Sequence, residues 1–286
     1  MCNGSIMDKL ISFSLPLMVS GILQLAFNAV DIIVVGRFSG SQALAAVGST
    51  TALINVFTNL FIGISLGANV LAARFYAAGK DREMSETVHT SITLALISGI
   101  MMAVIGVLLA KWALEIMGTP DDVIGQSALY MRIYFMGMPF FMLYNYGAAI
   151  LRAIGDTKRP LIFLIISGIA NAALNMILVI LFHMGVAGVA IGTIISQLIS
   201  CVLVLTCLYR SEGSYQLRFS KLKINGAYME QIFQVGVPAG IQSTVINLSN
   251  ALLQSSVNSF GSIAMAGYTA AVSYTHLRAH ETPEHL

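Results

Sequence analysis

Long apolar runs separated by short polar connectors dominate this chain. A helix needs about 20 predominantly apolar residues to cross a hydrocarbon core of roughly 30 Å. Such windows fall near residues 11–35, 51–73, 88–114, 128–151, 160–182, 186–209 and 231–257, which predicts seven membrane-spanning helices. The connectors are brief and charged, as in Gly79-Lys80-Asp81-Arg82-Glu83 and Gly155-Asp156-Thr157-Lys158-Arg159. No long apolar–polar alternation marks the strands of a β-barrel. The first run is too long for the h-region of a signal peptide, and no small-residue cleavage site with a soluble domain follows it, so it reads as a retained helix. The expected fold class is an all-α polytopic membrane protein.

Composition agrees. Of 286 residues, 57% are hydrophobic and 10% charged, whereas a soluble domain spends about a quarter of its residues on charge. That excludes an ordinary soluble enzyme, a disordered chain and a nucleic-acid binder with a basic face. Cys2, Cys201 and Cys207 are too few for a disulfide framework. Lys9 and the connectors after spans two, four and six hold eleven of the 15 Lys and Arg, against Arg37, Lys111 and Arg132 on the opposite side. This bias predicts a cytoplasmic N-terminus. The net charge of +2 then follows from topology and calls for no anionic partner.

The chain carries a repeat. A shift of 222 residues aligns Leu15-Pro16 with Val237-Pro238, Asn28 with Asn250 and Phe38-Ser39-Gly40 with Phe260-Gly261-Ser262. One gap later, Ala43-Leu44-Ala45 meets Ala264-Met265-Ala266. The seventh span is thus read as a second copy of the first, entering from the same side, as in the parallel repeats of secondary transporters. The expected organisation is a six-helix lobe over residues 1–225, then the first helix and loop of a second lobe over 226–272. Residues 273–286 hold three of the five histidines, turn polar where another apolar helix would begin, and are expected to be a non-native tail.

Polar residues inside the spans carry the functional signal, because they are costly in a bilayer. Asp31 is the one acidic residue within an apolar run and ends a helical stripe of Ser20, Gln24, Asn28 and Asp31. Asn171 and Asn175 lie one turn apart in the fifth span, Thr193 in the sixth, and Asn55 and Asn59 in the second. The seventh shows Ser243, Asn247, Asn250 and Gln254. Each of these amides and hydroxyls also suits packing between helices; polar faces on several helices together suggest a water-filled cavity. Tyr144 and Asn145 in the fourth span are the best candidates for substrate contacts there. Pro16 interrupts the first helix and is a candidate hinge.

Several of these segments resemble the multidrug and toxic compound extrusion (MATE) transporters. They are Asn28-Ala29-Val30-Asp31 through Gly36-Arg37, Ala43 to Gly48, Met138-Pro139, Arg152 to Pro160, Asn171 with Asn175, and Gly185 to Gln197. The resemblance runs over residues 8–271. It implies two six-helix lobes in a V-shaped exporter working by alternating access, of which this chain holds the first and the opening helix of the second. It further implies that Asp31, with Asn171, Asn175 and Thr193, binds the coupling ion, H⁺ or Na⁺, and that Pro16 marks a bend. Gln24, Asn28, Asn55, Asn59, Tyr144, Asn145, Asn247 and Asn250 are the expected substrate cavity. Asn175 departs from the family, in which that position is often Asp, and one carboxylate leaves the choice of ion open. The implied activity is secondary active efflux of amphiphilic, cationic drug-like compounds across a bacterial plasma membrane by a monomeric, multi-pass protein with no cofactor and no catalytic residue.

The residues offer two alternatives. A flippase for lipid-linked sugars would show basic residues inside its cavity, and no Lys or Arg lies mid-span. Gly63-Ile64-Ser65-Leu66-Gly67 matches the nucleophile elbow of a serine hydrolase, with His89 and His183 as the available bases outside the tail.

Overall fold

The computed structural model describes residues 6–281. Among the described residues nine α-helices follow one another: α1 Ile6–Phe38, α2 Gly40–Ala77, α3 Asp81–Ile116, α4 Asp121–Met136, α5 Met138–Ala153, α6 Lys158–Met176, α7 Gly185–Arg210, α8 Gly226–Asn258 and α9 Ser262–Glu281. No strand occurs among the described residues. In a medium without water each backbone donor and acceptor must be satisfied inside the segment, which long helices do unaided.

Five segments are long and apolar enough to cross a membrane: Leu10–Phe38, Gly40–Ala77, Asp81–Ile116, Lys158–Leu181 and Gly185–Arg210. Two of the seven predicted spans differ. The fourth is two 16-residue helices, α4 and α5, that meet at Gly137. Pro139 in the first turn of α5 has no N–H to continue the ladder, and it constrains Met138 before it. The ladder restarts with Phe140 and Phe141 donating to the Gly137 carbonyl at 3.1 and 3.2 Å. The seventh is α8, which has the length at 33 residues but carries the polar stripe that lowers its apolarity. The second span also starts earlier than expected, at Gly40 rather than residue 51, because Ala43, Ala45, Ala46 and Val47 are core residues of a continuous helix. The fifth ends in a π-helical turn, Ile177–Leu181.

The repeat is visible in the backbone. Both α1 and α8 have 33 residues with a proline inside, Pro16 and Pro238. Each is followed by a turn whose glycine adopts positive φ, +86° at Gly40 and +87° at Gly261. Only glycine enters that region without strain. The matching turns place the single gap of the alignment between Phe38 and Gly40. Residues 273–281 continue α9, and residues 282–286 of the expected tail lie outside the described residues.

Helix α2 packs closely along α8, and glycines set the approach. A Cβ on Gly63 would collide with the Gly240 backbone, and one on Gly67 with the Ile232 carbonyl. On the facing helix, a Cβ on Gly236 would lie 2.5 Å from Ile64 Cα and one on Gly240 2.5 Å from the Leu60 carbonyl. Gly63 and Gly67 thus form a G-x-x-x-G face against a second one, Gly236 and Gly240, the small-residue packing of membrane helices. The nucleophile-elbow reading fails on the same residues. Ser65 lies inside an unbroken helix and donates to the Ile62 carbonyl at 2.7 Å, with no strand-to-helix turn to expose it.

The linker between α7 and α8 is held to the start of α3. The Arg218 N–H donates to His89 Nε2 at 3.1 Å, and the Asn225 N–H to Thr90 Oγ1 at 3.2 Å. Asn225 Nδ2 donates to Glu86 Oε2 at 2.7 Å, while Leu217 is fully buried. His89, considered above as a base, is a structural anchor. Its Nδ1 lies 2.6 Å from the Ser85 carbonyl and carries the proton, so both ring nitrogens are engaged.

Replacing Gly240 with valine drives side-chain atoms into backbone that has no room to give. It is expected to cost about 3 kcal/mol, the upper end for overpacking. A fall in melting temperature of the detergent-solubilised protein reads this out, with Gly21→Ala, where a Cβ meets nothing within 4 Å, showing no fall.

Candidate functional site

Three helices bring together the four residues expected to bind the coupling ion. Asp31 lies in the last third of α1, Asn171 and Asn175 one turn apart on α6, and Thr193 near the start of α7. Their side chains form one hydrogen-bonded chain. Asn175 Nδ2 donates to Asp31 Oδ1 and also to Asn171 Oδ1 at 3.2 Å. Asn171 Nδ2 donates to Thr193 Oγ1 at 3.4 Å, and that hydroxyl donates to the Val189 carbonyl at 2.9 Å. Asn175 is fully buried and Asn171 nearly so.

Local backbone explains why the quartet closes. The i, i+4 spacing places both asparagines on one face of α6. Gly192 lets the α7 backbone approach, since a Cβ there would collide with Asn175 Oδ1. The π-helical turn begins two residues after Asn175; such turns concentrate at functional sites. Asp31 forms no ion pair among the described residues, so the side-chain amide of Asn175 is its hydrogen-bond donor. Asn175 Oδ1 is buried without a hydrogen-bond partner.

The donor set is one carboxylate and neutral amide and hydroxyl oxygens. Among the described residues no three His, Cys, Asp or Glu side chains cluster as for a transition metal. Oxygen ligands suit a hard cation or a proton. Both hydrogens of the Asn175 amide point into the network. With Asp31 ionised, turning the amide over would set its oxygen against the oxygens of Asp31 and Asn171.

Two residues that the sequence reading passed over belong near this site. Tyr130 and Tyr134 on α4 stack with ring centroids 6.1 Å apart, and both lie within electrostatic range of Asp31. Their i, i+4 spacing in the fourth span was the available signal.

The expected substrate residues lie in differing surroundings. Gln24, Asn28 and Asn250 are exposed. Asn59, Asn145 and Asn247 donate to carbonyls one turn back on their own helices, those of Asn55, Phe141 and Ser243, at 2.6, 2.8 and 2.8 Å. The Asn55 side chain is half-buried. The Tyr144 hydroxyl donates to the Pro160 carbonyl at 3.2 Å and ties α5 to the first turn of α6. Gln254 donates to Asn258 Oδ1 at 2.9 Å, and Asn258 in turn to the Met117 carbonyl at 3.0 Å, a packing role at the far end of α8. Pro16 is buried within α1, where its carbonyl accepts from the Ser20 hydroxyl at 2.8 Å.

An all-helical architecture of apolar, membrane-length helices with an internal repeat and a carboxylate network within the spans points to a membrane-transporter type of protein. The MatE family matches residues 16–177, more than half of the chain, and the chain belongs to this family of transporters. It is 34% identical over 265 residues to the probable multidrug resistance protein YoeA of Bacillus subtilis (strain 168), covering 90% of this chain and 57% of that one. To the probable multidrug resistance protein YpnP of the same organism it is 27% identical over 276 residues, covering 94% of this chain and 60% of that one. Its fold matches the inward-facing conformation of a multidrug resistance MATE family transporter of the MOP superfamily, with a TM-score of 0.82 at 22% identity, covering 94% of this chain and 61% of that structure. The chain spans somewhat over half the length of these relatives.

If the Asn175 amide holds Asp31, the two side chains are energetically coupled. A double-mutant cycle of Asp31→Leu and Asn175→Leu, read by thermal unfolding, is expected to give a coupling of about 1–3 kcal/mol, the range for a buried hydrogen bond to a charged group. Additive effects would show that the pair does not interact.

Proposed function

We propose that this chain is the ion-coupling half of a multidrug efflux transporter. In this reading it exports amphiphilic, cationic drug-like compounds from a bacterium in exchange for an inward-moving ion. The observation that carries the proposal is the Asp31–Asn175–Asn171–Thr193 network, a lone, half-buried carboxylate held among neutral partners. A charged carboxylate in a low-dielectric pocket is unfavourable, and a proton or cation arriving there neutralises it. A ligand that binds two conformations unequally shifts the balance between them. Occupation of Asp31 therefore biases an alternating-access cycle, and each charge carried through the potential supplies about 2.3 kcal/mol per 100 mV.

The inward-pointing Asn175 hydrogens favour H⁺ over Na⁺. A sodium ion would need oxygens turned toward it, whereas a proton on the second carboxylate oxygen leaves every bond of the network in place. The positive-inside bias supports a cytoplasmic N-terminus in a multi-pass plasma-membrane protein. The names of the relatives support drug-like substrates, and the monomer and the two-lobe organisation follow from the family resemblance.

In proteoliposomes carrying the full gene product, an imposed pH gradient is expected to drive dye efflux that Asp31→Asn lowers at least tenfold at unchanged protein level. Efflux driven by a sodium gradient at constant pH would reassign the ion, and undiminished efflux by Asp31→Asn would sink the coupling role.

A further inference from the structure

A cavity of about 820 Å³ separates the start of α3 from the linker that leads into α8, and the coupling network does not use it. Its wall includes Arg82, Ser85, Glu86, Lys221, Lys223 and Gly226. The acidic member is already engaged: Glu86 Oε1 accepts from Arg82 Nε at 3.1 Å and Oε2 from Asn225 Nδ2 at 2.7 Å. His89 has both nitrogens occupied, and Thr90 Oγ1 accepts from the Asn225 N–H and donates to the Lys223 carbonyl at 3.5 Å. These contacts build a fixed wall, and of its cations only Arg82 is engaged, through Nε to Glu86.

What faces the cavity unmatched is positive. Lys221 and Lys223 form no ion pair among the described residues, and Arg82 engages Glu86 through Nε while its side chain stays largely exposed. The 33-residue α8 opens at this wall with Gly226 as its first residue, so the positive end of its dipole adds to the lysines. Two free ammonium groups, a guanidinium and a helix N-terminus around a cavity of this size match the chemistry of a phosphate group with a substituent attached. A basic pocket at the cytoplasmic end of membrane helices is also where anionic headgroups bind.

We propose that this cavity binds a phosphate-bearing anion, either the headgroup of an anionic lipid or a free phosphate ester, and so braces the linker that joins the first six spans to α8. Access from the inner leaflet rests on the orientation proposed above, while the site itself is independent of the efflux reading.

The test is native mass spectrometry of the delipidated protein in neutral detergent, titrated with phosphatidylglycerol, phosphatidylcholine or inorganic phosphate. Wild type is expected to bind phosphatidylglycerol in preference to phosphatidylcholine. Lys221→Gln with Lys223→Gln weakens this by roughly 25-fold, about fivefold per lysine, while Lys158→Gln with Arg210→Gln leaves it unchanged. Glu86→Gln keeps an acceptor for Asn225, removes the one negative charge on the wall and is expected to tighten binding, an outcome that misfolding does not produce. Phosphatidylglycerol binding that survives excess inorganic phosphate assigns the lipid source, and displacement by phosphate assigns a soluble ester. Equal affinity in the double lysine variant and wild type, or no tightening in Glu86→Gln, overturns the proposal. Efflux driven through Asp31 is a separate readout, so failure of one leaves the other standing.

Discussion

A bilayer core offers no water, so each polar atom placed there must find its partner within the protein. That constraint shapes this chain at every scale. The backbone answers it by remaining helical through nearly all of its described length. Most buried side chains answer it locally: Ser49, Thr50, Thr58, Ser91 and Ser200 donate to carbonyls three or four residues back. Such bonds neutralise a hydroxyl without asking anything of another helix. Against that background the Asp31 network stands out, because the Asn175 amide reaches from α6 to Asp31 on α1 and the Asn171 amide from α6 to Thr193 on α7, while only the Thr193 hydroxyl turns back on its own helix. A carboxylate has no donor to offer a carbonyl when ionised, so local back-bonding is closed to it. It must recruit partners from elsewhere, and that need is what binds three helices to the state of a single group.

The same constraint explains the glycine face between α2 and α8. Without a hydrophobic driving force between helices, association depends on close packing, and close packing depends on small residues. Gly63 and Gly67 meet Gly236 and Gly240 nearly backbone to backbone. The link between the first six spans and the repeat-related helix therefore has two parts, a tight glycine contact within the bundle and a polar clasp at the linker through Glu86, His89 and Thr90.

The apolar runs made the helices legible, and the i, i+4 asparagines with Asp31 made much of the candidate site legible. What escaped has common physical causes. The break at Gly137 hid inside an apolar run, since hydropathy records composition and not the missing N–H of Pro139. The meaning of Gly63-x-x-x-Gly67 depended on which helix lay opposite, and partners in space leave no trace in a single helical stripe. Tyr130 and Tyr134 come near Asp31 only through the packing of α4 on α7. The lysines at 221 and 223 carry a topological signal in sequence, and their convergence with Arg82 on one cavity exists only once the linker is folded against α3.

The repeat sharpens the assignment of the carboxylate. The two copies share a helix length, an internal proline and a glycine turn with nearly equal φ. They share Asn28 and Asn250 as well. The position corresponding to Asp31, however, is Leu253, an exposed apolar residue on α8. Features held in common by both copies answer to the mechanics of entering and turning in a membrane, and they would be needed in any helix of this kind. A carboxylate within a span is costly in either copy, and its replacement by leucine in the second copy shows that the repeated helix and turn do not require it. The neutral partners follow the same asymmetry: Asn171, Asn175 and Thr193 lie on α6 and α7, helices that close around α1 and not around α8. The carboxylate network thus sits among α1, α6 and α7, and α8 contributes a packing surface against α2.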